Sequence, residues 1–423
     1  MSFSLNRKKG TYNSIEIMST EERADYKWGL MKSLLVHAHE HSPAFRSRLG
    51  EAGITPGDIR HFDDWSKIPI LPKKDLPEIQ VQGPRLGGLL TCDPGQLRRI
   101  FLSPGPIVDP EARQKDFWGF AEAFYAAGFR PGDVVQITFS YHFTPAGLMM
   151  EEPLQEIGCA VFPAGPGNTQ GQIDALSRLK TNGFVGMASF LKIIADKAEK
   201  QGLDLKKDLN LDVAFVAAER LPETLRSELE ERLDMVVRQG YGTADLGCAG
   251  YECSEKSGMH LSSRCHVEIC HPETREPLPA GETGEVVVTP FNQAYPLIRF
   301  ATGDLSFIRE DKCPCGRTSA RLGGILGRVD DTVKVKGQFM YPSQIGQALA
   351  VFPEIRAWKV ITANPQGREI ITLHILGGPD VDAARISKVF QDKIKLRPEI
   401  NITDDESLFS QDGPRIEDQR TWG

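Results

Sequence analysis

Four cysteine and histidine side chains are spaced in the sequence as the ligands of a metal ion are. Cys253 precedes His260 by seven residues, and Cys313 and Cys315 flank one proline. Three thiolates and one imidazole suit tetrahedral Zn²⁺, and a full set of four leaves no coordination position for water. Buried free thiols or a redox pair are the alternatives. The neighbouring His266 is expected at the surface or in a turn.

Two acidic motifs in the second half of the chain have the chemistry to bind a nucleotide. Thr302-Gly303-Asp304 follows a predicted strand, and a carboxylate on such a turn can accept hydrogen bonds from both hydroxyls of a ribose. Arg328, followed by Asp330, offers a contact to phosphate or ribose beside a hinge. Each motif alone is also typical of an ordinary feature, namely a strand-end turn or a surface salt bridge.

In this order, these segments resemble the adenylate-forming acyl-CoA synthetase superfamily, in particular its phenylacetate–CoA ligase branch. The resemblance extends over nearly the whole chain, and it rests on the segments EERADYKWGLMKSLLVHAHEHSPAFRSRLGEAGI, KIPILPKKDL, AAER (217–220), YGTAD (241–245), CPCGRT and GRVDD…KG…YPSQI. It implies a ligase that uses ATP with Mg²⁺, a carboxylic acid and coenzyme A. An acyl-adenylate forms with release of pyrophosphate, and coenzyme A then displaces AMP. The branch often carries a matching Cys…His…CPCGRT set, which favours a structural zinc site.

The resemblance also implies roles for individual residues. Tyr241 would pack on the adenine, and Asp304 would hold the ribose. Asp245 occupies the position of a magnesium-binding acid, Arg328 would contact ribose or phosphate, and Asp330 would be the hinge. The other predicted contacts are Ser103, Gly105, Ala218, Glu219, Gly242 and Thr243 for the nucleotide, Gly337 and Tyr341 for the coenzyme A channel, and Tyr141, His142 and Phe143 for the acid pocket.

The chain departs from the family pattern where the triphosphate would bind. The Ser/Thr/Gly-rich phosphate loop is replaced by LSPGPIVDP at 102–110, in which three prolines remove amide donors and Asp109 adds an acid. No lysine follows residue 404, so Arg415 is the cation nearest to the position of the family's catalytic lysine. We therefore expect an atypical AMP-forming ligase for an aromatic acid. The alternative is a catalytically impaired homologue that binds AMP or an acyl-adenylate, as a regulatory, binding or pathway-specific transfer protein.

The elements that must position these residues are predicted to form a layered α/β core. From about residue 112, apolar runs such as VVQITF, GFVGM and DVAFVAA alternate with amphipathic helical segments. We expect a large N-terminal α/β domain (1–326), β-rich and zinc-bearing from about 250 to 326. A small mobile C-terminal α+β domain (327–423) follows. Residues 14–50 are predicted to be helical.

Composition excludes several classes of protein. The 423 residues carry a net charge of −7 with no basic tract, which argues against nucleic-acid binding. The sequence contains no apolar run of 18 residues and no signal-peptide core, which argues against membrane spanning and secretion. The sequence thus favours a cytoplasmic protein with small-molecule partners, and a homodimer is possible.

Overall fold

The computed structural model describes residues 7, 10–103, 106–335, 338–365, 369–378, 380–409 and 414–420. Gly105 and Gly337, two of the predicted ligand contacts, lie outside the described residues. The chain forms two compact units, a large one of Met1–Thr302 with Phe307–Gly324 and a small one of Gly303–Ser306 with Ile325–Gly423. Among the described residues, no helix has the length and apolarity to span a bilayer.

The α-helices described are α1 Thr20–His41, α2 Pro43–Glu51, α3 Leu76–Val81, α4 Ala121–Ala127, α5 Ala146–Ile157, α6 Thr169–Leu179, α7 Ala188–Lys200, α8 Glu223–Leu233, α9 Pro342–Leu349 and α10 Ala383–Ile394, with a short helical turn at Pro84–Gly88. The strands are β1 Leu71–Pro72, β2 Arg99–Ser103, β3 Ile107–Glu111, β4 Val134–Ile137, β5 Ala160–Pro163, β6 Gly183–Gly186, β7 Val213–Val216, β8 Val236–Thr243, β9 Gly247–Glu252, β10 Met259–Leu261, β11 Cys265–Cys270, β12 Gly284–Pro290, β13 Phe300–Ser306, β14 Ile308–Arg309, β15 Arg321–Leu322, β16 Gly327–Arg328, β17 Val333–Val335, β18 Gln338–Met340, β19 Ala357–Ala363, β20 Ile370–Leu376, β21 Glu399–Thr403 and β22 Ile416–Asp418.

A nine-stranded sheet forms the centre of the large unit, in the order β14-β15-β10-β9-β8-β7-β6-β4-β5. Strands β4 to β8 are parallel, and β9, β10, β15 and β14 continue the sheet antiparallel. Successive side chains of a strand point to opposite faces. Phe215 therefore packs with the core around α4 and α5, whereas Ala214 packs with the core around α6, α7 and α8. Apolar cover on both faces explains why these strands are continuous hydrophobic runs, and the predicted α/β class is confirmed.

Two smaller β structures complete the large unit. A sheet in the order β1-β13-β12-β11 begins with the short strand that precedes Lys73. A separate hairpin of β2 and β3 occupies the segment predicted as a degenerate phosphate loop. Helices α1 and α2 pack their apolar faces around Trp65.

The small unit is built on a four-stranded sheet in the order β21-β20-β19-β22, with the hairpin of β17 and β18 beside it. Its core contains Val335, Met340, Phe352, Leu373 and Phe390, which are all at most 2% exposed. In this unit, β16 pairs with the end of β13, so that Asp304 lies opposite Arg328.

Candidate functional site

An ion pair joins two segments of the large unit that are distant in sequence. Lys73 Nζ lies 2.6 Å from Asp245 Oδ2, and Thr243 Oγ1 donates a hydrogen bond to the same oxygen at 3.2 Å. The Asp245 side chain is 1% exposed, while that of Lys73 is 28% exposed. The other carboxylate oxygen of Asp245 has no hydrogen-bond partner among the described residues. A buried carboxylate and a partly exposed cation are thereby available to a metal-bound phosphate.

A second buried carboxylate, that of Asp109, is close enough to this pair for both charges to shift its pKa. Asp109, on β3, is 1% exposed and accepts a hydrogen bond from Ser103 Oγ, on β2. Burial raises the pKa of Asp109 to about 7, and the negative charge of Asp245 acts in the same direction. Ser103, predicted as a nucleotide contact, thus donates its hydroxyl hydrogen bond to Asp109, the acid of the predicted phosphate-loop segment.

The predicted adenine motif lies at the end of β8. Tyr241 is buried, and its hydroxyl donates a hydrogen bond to Thr302 Oγ1 at 3.1 Å. The register between β8 and β9 shifts at Tyr241 and Gly242. A Cβ on Gly242 would lie 2.3 Å from the carbonyl oxygen of Gly247, so the close approach of the two strands requires glycine there.

The backbone at Ala218 and Glu219 follows the carboxyl end of β7, the edge at which open parallel sheets bind ligands. Ala218 is exposed and has a φ of 70°, a left-handed conformation that costs a non-glycine residue about 1 kcal/mol. The Glu219 carboxylate accepts hydrogen bonds from Ser189 N (2.7 Å) and Ser189 Oγ (2.8 Å). It therefore fixes the turn after β7 to the first turn of α7.

The two acidic motifs of the sequence meet within the small unit. Arg328 Nη1 lies 3.3 Å from Asp304 Oδ1, and the Arg328 side chain is 52% exposed. Gly303 has a φ of 79°, and a Cβ there would lie 2.9 Å from the Arg328 guanidinium. Asp330, two residues beyond Arg328, is exposed. Their roles in binding ribose or phosphate and as a hinge stay predictions.

Two other predicted residues lie elsewhere in the small unit. Arg415 donates a hydrogen bond to the Trp358 carbonyl at 3.1 Å, and its guanidinium lies 5.7 Å from the centre of the Trp358 ring. Tyr341 is buried at the start of α9, and burial raises its pKa. Their roles as the replacement for the missing lysine and as a coenzyme A contact stay predictions.

The predicted acid-pocket residues line a cavity of about 570 Å³ in the large unit. Tyr141, His142 and Phe143 face the β2–β3 hairpin across it. Phe143 has a φ of 61°, is 75% exposed and accepts a hydrogen bond from Leu102 N at 2.8 Å through its carbonyl oxygen. The cavity is therefore bounded by the hairpin of β2 and β3, the segment predicted as the phosphate loop.

The structure brings the four predicted metal ligands together. The ligand atoms of Cys253, His260, Cys313 and Cys315 all lie within 4.8 Å of one another. The Cys253 and Cys313 sulfurs are 3.7 Å apart, and Cys315 Sγ is 3.4 Å from His260 Nε2. Zn–S and Zn–N bonds of standard length at a tetrahedral angle would give about 3.8 and 3.5 Å. A sulfur–sulfur distance of 3.7 Å is too long for a disulfide, so the donor set and its spacing fit zinc.

Neighbouring groups orient these ligands. His260 Nδ1 lies 3.2 Å from Ser319 Oγ, which leaves Nε2 to face the thiols. The amide N–H of Arg317 donates a hydrogen bond to Cys315 Sγ at 3.5 Å. The hydrogen bond that Cys315 accepts from Cys253 lowers the pKa of Cys315 and raises that of Cys253. The cluster thus already contains a thiol disposed to be a thiolate, the form that binds metal.

The sequence interpretation missed Lys73, although it quoted the segment KIPILPKKDL. Lys73 and Asp245 are 172 residues apart, and no local pattern relates them. The available signal was chemical, because the predicted site contained a magnesium-binding acid and lacked both lysines of the family. A search for another cation in matching segments would have selected Lys73 and Lys74.

Comparisons with known proteins show which family the chain is similar to. A family described as AMP-binding enzyme matches residues 115–292. The phenylacetate-coenzyme A ligase of Thermus thermophilus is 31% identical over 349 residues, 80% of this chain and 77% of that protein. The enzyme of the same name from Pseudomonas putida is 29% identical over 344 residues, 78% of this chain and 75% of its own.

The fold is similar to that of a solved ligase. An open conformation of 2-hydroxyisobutyryl-CoA ligase, solved with 2-HIB-AMP and CoA, superposes with a TM-score of 0.86. The similarity covers 96% of this chain and 93% of that structure, at 22% identity. With the sequence relatives, it shows that the chain belongs to the adenylate-forming enzymes and, among them, to the phenylacetate–coenzyme A ligase family.

Proposed function

We propose that the protein is an AMP-forming acid–coenzyme A ligase. The carboxylate of an organic acid attacks the α-phosphorus of ATP, and the bond to the β-phosphate oxygen breaks, which releases pyrophosphate. The coenzyme A thiol then attacks the acyl carbon of the adenylate and expels AMP. Membership of the ligase family and the two-unit chain support this reaction.

The observation that carries the proposal is the ion pair of Lys73 with Asp245. Asp245 would hold Mg²⁺ through its unpartnered oxygen, and the ion would neutralise charge on the leaving pyrophosphate. Lys73 would supply a positive charge that the phosphate loop lacks. Tyr241 lies two residues before the end of β8 and four residues before Asp245, at the adenine position that the resemblance implies.

For the acid, we propose an aromatic carboxylate. The support is the cavity lined by Tyr141, His142 and Phe143, whose rings suit a planar apolar body. The cavity of about 570 Å³ is within the usual range for small-molecule sites.

The second candidate is a homologue that binds AMP or an acyl-adenylate without efficient activation of ATP. Asp109 favours it, because a buried acid beside Asp245 would repel a triphosphate when ionised. Ser103, the hydroxyl of the replaced loop, already donates to Asp109. Tyr241 and Asp304, the residues predicted to contact adenine and ribose, lie outside the segment that contains Ser103 and Asp109.

We further propose one structural Zn²⁺ bound by Cys253, His260, Cys313 and Cys315. Cys253 and His260 flank the turn between β9 and β10, and the other two cysteines lie between β14 and β15. The ion would fasten these two connections to each other. The small-molecule partners, a cytoplasmic location and a homodimer remain proposals that rest on composition and on the family.

A coupled assay of pyrophosphate release, over a panel of aryl and short acyl acids, tests the function. We expect acid-dependent pyrophosphate with ATP and Mg²⁺, and coenzyme A-dependent AMP release. Asp245→Ala should abolish the first reaction. If no acid of the panel supports pyrophosphate release while AMP still binds tightly, the second candidate is favoured instead.

A further inference from the structure

A second cavity of the large unit has no part in the proposed reaction. Its volume is about 700 Å³, within the usual range of small-molecule sites, and it lies between α1, the short helix Phe62–Lys67 and β11. It is lined by none of the residues assigned above to the nucleotide, the acid or the metal.

Two cationic side chains line this cavity without carboxylate partners. Arg23 and Lys27, one turn apart on α1, are only 9% and 7% exposed. Lys27 Nζ donates to the Cys265 carbonyl at 2.9 Å, and Arg23 Nη2 donates to Thr318 Oγ1 at 2.6 Å. Within the described part of the chain, no carboxylate lies within ion-pair distance of either. Burial lowers the pKa of both side chains, and an anion beside them would stabilise their charged forms.

The acids around the cavity are disposed differently from the cations. Asp63 and Glu310 are exposed, at its rim. Glu268 lies 3.1 Å from Arg299 Nε and is therefore already paired. Among the residues that line the cavity, the buried cations Arg23 and Lys27 therefore face no unpaired buried acid, although the buried Glu122, outside the lining, acts electrostatically on both.

Two residues that line the cavity carry further buried hydrogen-bond donors, beside apolar side chains. Arg23 Nε and Trp65 Nε1 are buried and have no hydrogen-bond partner among the described residues. Ile269 is 2% exposed, and His266 packs edge-on against Phe62 with ring centres 4.9 Å apart. The prediction that His266 lies at the surface or in a turn was wrong, because it is half-buried on β11. Cationic side chains and apolar or aromatic side chains line the same cavity, which suits a ligand with an acidic group on an apolar body.

We propose that this cavity binds an organic carboxylate with an aromatic or aliphatic body, at a site separate from the reaction. The carboxylate accepts hydrogen bonds from Arg23 and Lys27, and the body packs against Phe62 and Ile269. Ser319 also lines the cavity and contacts His260, so an occupant adjoins the metal cluster.

The test uses the full-length protein and a pair of fluorescent probes that differ only in charge. Pyrenebutyrate carries the carboxylate, and pyrenebutanol carries the same body without it. Binding is followed by fluorescence anisotropy with and without a saturating non-hydrolysable acyl-sulfamoyl adenosine, which would fill both the nucleotide site and the proposed acid pocket. Lys27→Met removes the charge at similar volume, and Ala24→Trp, at an exposed helix position that lines the cavity, fills it without changing charge. Phe143→Ala is the control at the predicted acid pocket.

With that analogue present, we expect one pyrenebutyrate site per chain, which should bind pyrenebutanol at least tenfold more weakly. Lys27→Met should weaken pyrenebutyrate about tenfold or more and leave pyrenebutanol unchanged. Ala24→Trp should weaken both probes, and Phe143→Ala neither. Equal binding of the two probes, or loss of binding in Phe143→Ala but not in Lys27→Met, would overturn the proposal. Because no readout requires ATP turnover, failure of the ligase assay leaves this test intact.

Discussion

At the scale of single residues, substitution of Lys73 should impair the reaction, whereas substitution of the neighbouring Lys74 should not. Lys73 Nζ is 2.6 Å from the Asp245 carboxylate, whereas Lys74, the next residue of the short helix Lys73–Asp75, is exposed. Lys73→Met should lower acid-dependent pyrophosphate release about 100-fold or more, because a preorganised charge on the developing phosphate is lost. AMP affinity should change little. Lys74→Met is the matched control, and equal activity of the two variants would contradict a role for Lys73.

The raised pKa of Asp109 predicts how the stability of the folded protein changes with pH. In an unfolded chain aspartate has a pKa near 3.9, whereas folded Asp109 has a pKa of about 7. The folded state therefore binds the extra proton between about pH 4 and 7, and the contribution of Asp109 to stability falls as the pH rises through that window.

Asp109→Asn should accordingly stabilise the protein at pH 8, by at most about 4 kcal/mol, and the advantage should shrink towards pH 5. Asparagine keeps an acceptor for Ser103 Oγ. Thermal unfolding from pH 5 to 8.5 measures this, with the exposed Asp174→Asn as control. A difference that does not vary with pH would show that Asp109 is not the titrating group.

The same carboxylate should set the preference among nucleotides. Calorimetry should show that AMP and a non-hydrolysable acyl-sulfamoyl adenosine bind more tightly than ATP. Asp109→Asn should narrow that gap by improving ATP affinity alone, since only the triphosphate approaches the replaced loop. A wild-type protein that prefers ATP would refute this reading of the loop.

At the scale of elements, local pattern predicted most of the structure, and contacts between distant segments account for what it missed. The run DVAFVAA predicts β7 because both faces of that strand are covered. The helix predicted over 14–50 divides at Ser42, which caps α2 through Phe45 N, with Pro43 in its first turn. The segment 102–110 was matched to the family's phosphate loop, yet the described part of it belongs to a hairpin in which Pro110 lies in β3 opposite Ile100.

The candidate site divides in the same way. The Cys and His ligands were predictable because their side-chain chemistry restricts them to few functions. The pairing of Lys73 with Asp245, and of Glu219 with Ser189, depends on tertiary packing alone. Sequence spacing therefore predicted the cluster of Cys and His side chains and could not predict the cation that pairs with Asp245.

Also at this scale, the metal cluster should stabilise the connections that carry it. Cys313→Ser combined with Cys315→Ser should remove bound zinc, and chelation of the wild type should lower its melting temperature, because binding energy at such sites is folding energy. Cys92→Ser, outside the cluster, is the control. Metal analysis tests this. Wild-type protein that holds much less than about one zinc per chain, or a double variant that keeps its full zinc content, would falsify the assignment.

At the scale of the whole molecule, the chain has two compact units, and the proposed reaction has two halves. Enzymes that use one site for successive steps commonly move one domain about a few backbone positions. The predicted hinge, Asp330, is exposed, and its amide donates no hydrogen bond among the described residues. Proline at this position would fix φ without removing such a bond.

Asp330→Pro should therefore separate the two half-reactions. We expect acid-dependent pyrophosphate release within about twofold of wild type and coenzyme A-dependent AMP release slower by about tenfold or more, because only the second step would follow the hinge motion. Asp330→Ala removes the same carboxylate and keeps the backbone free, so it should be close to wild type in both assays. Equal loss in the two variants would assign the effect to the side chain, and equal loss of both half-reactions in Asp330→Pro would assign it to folding. A slow second step in the proline variant alone would identify position 330 as the point about which the two units move.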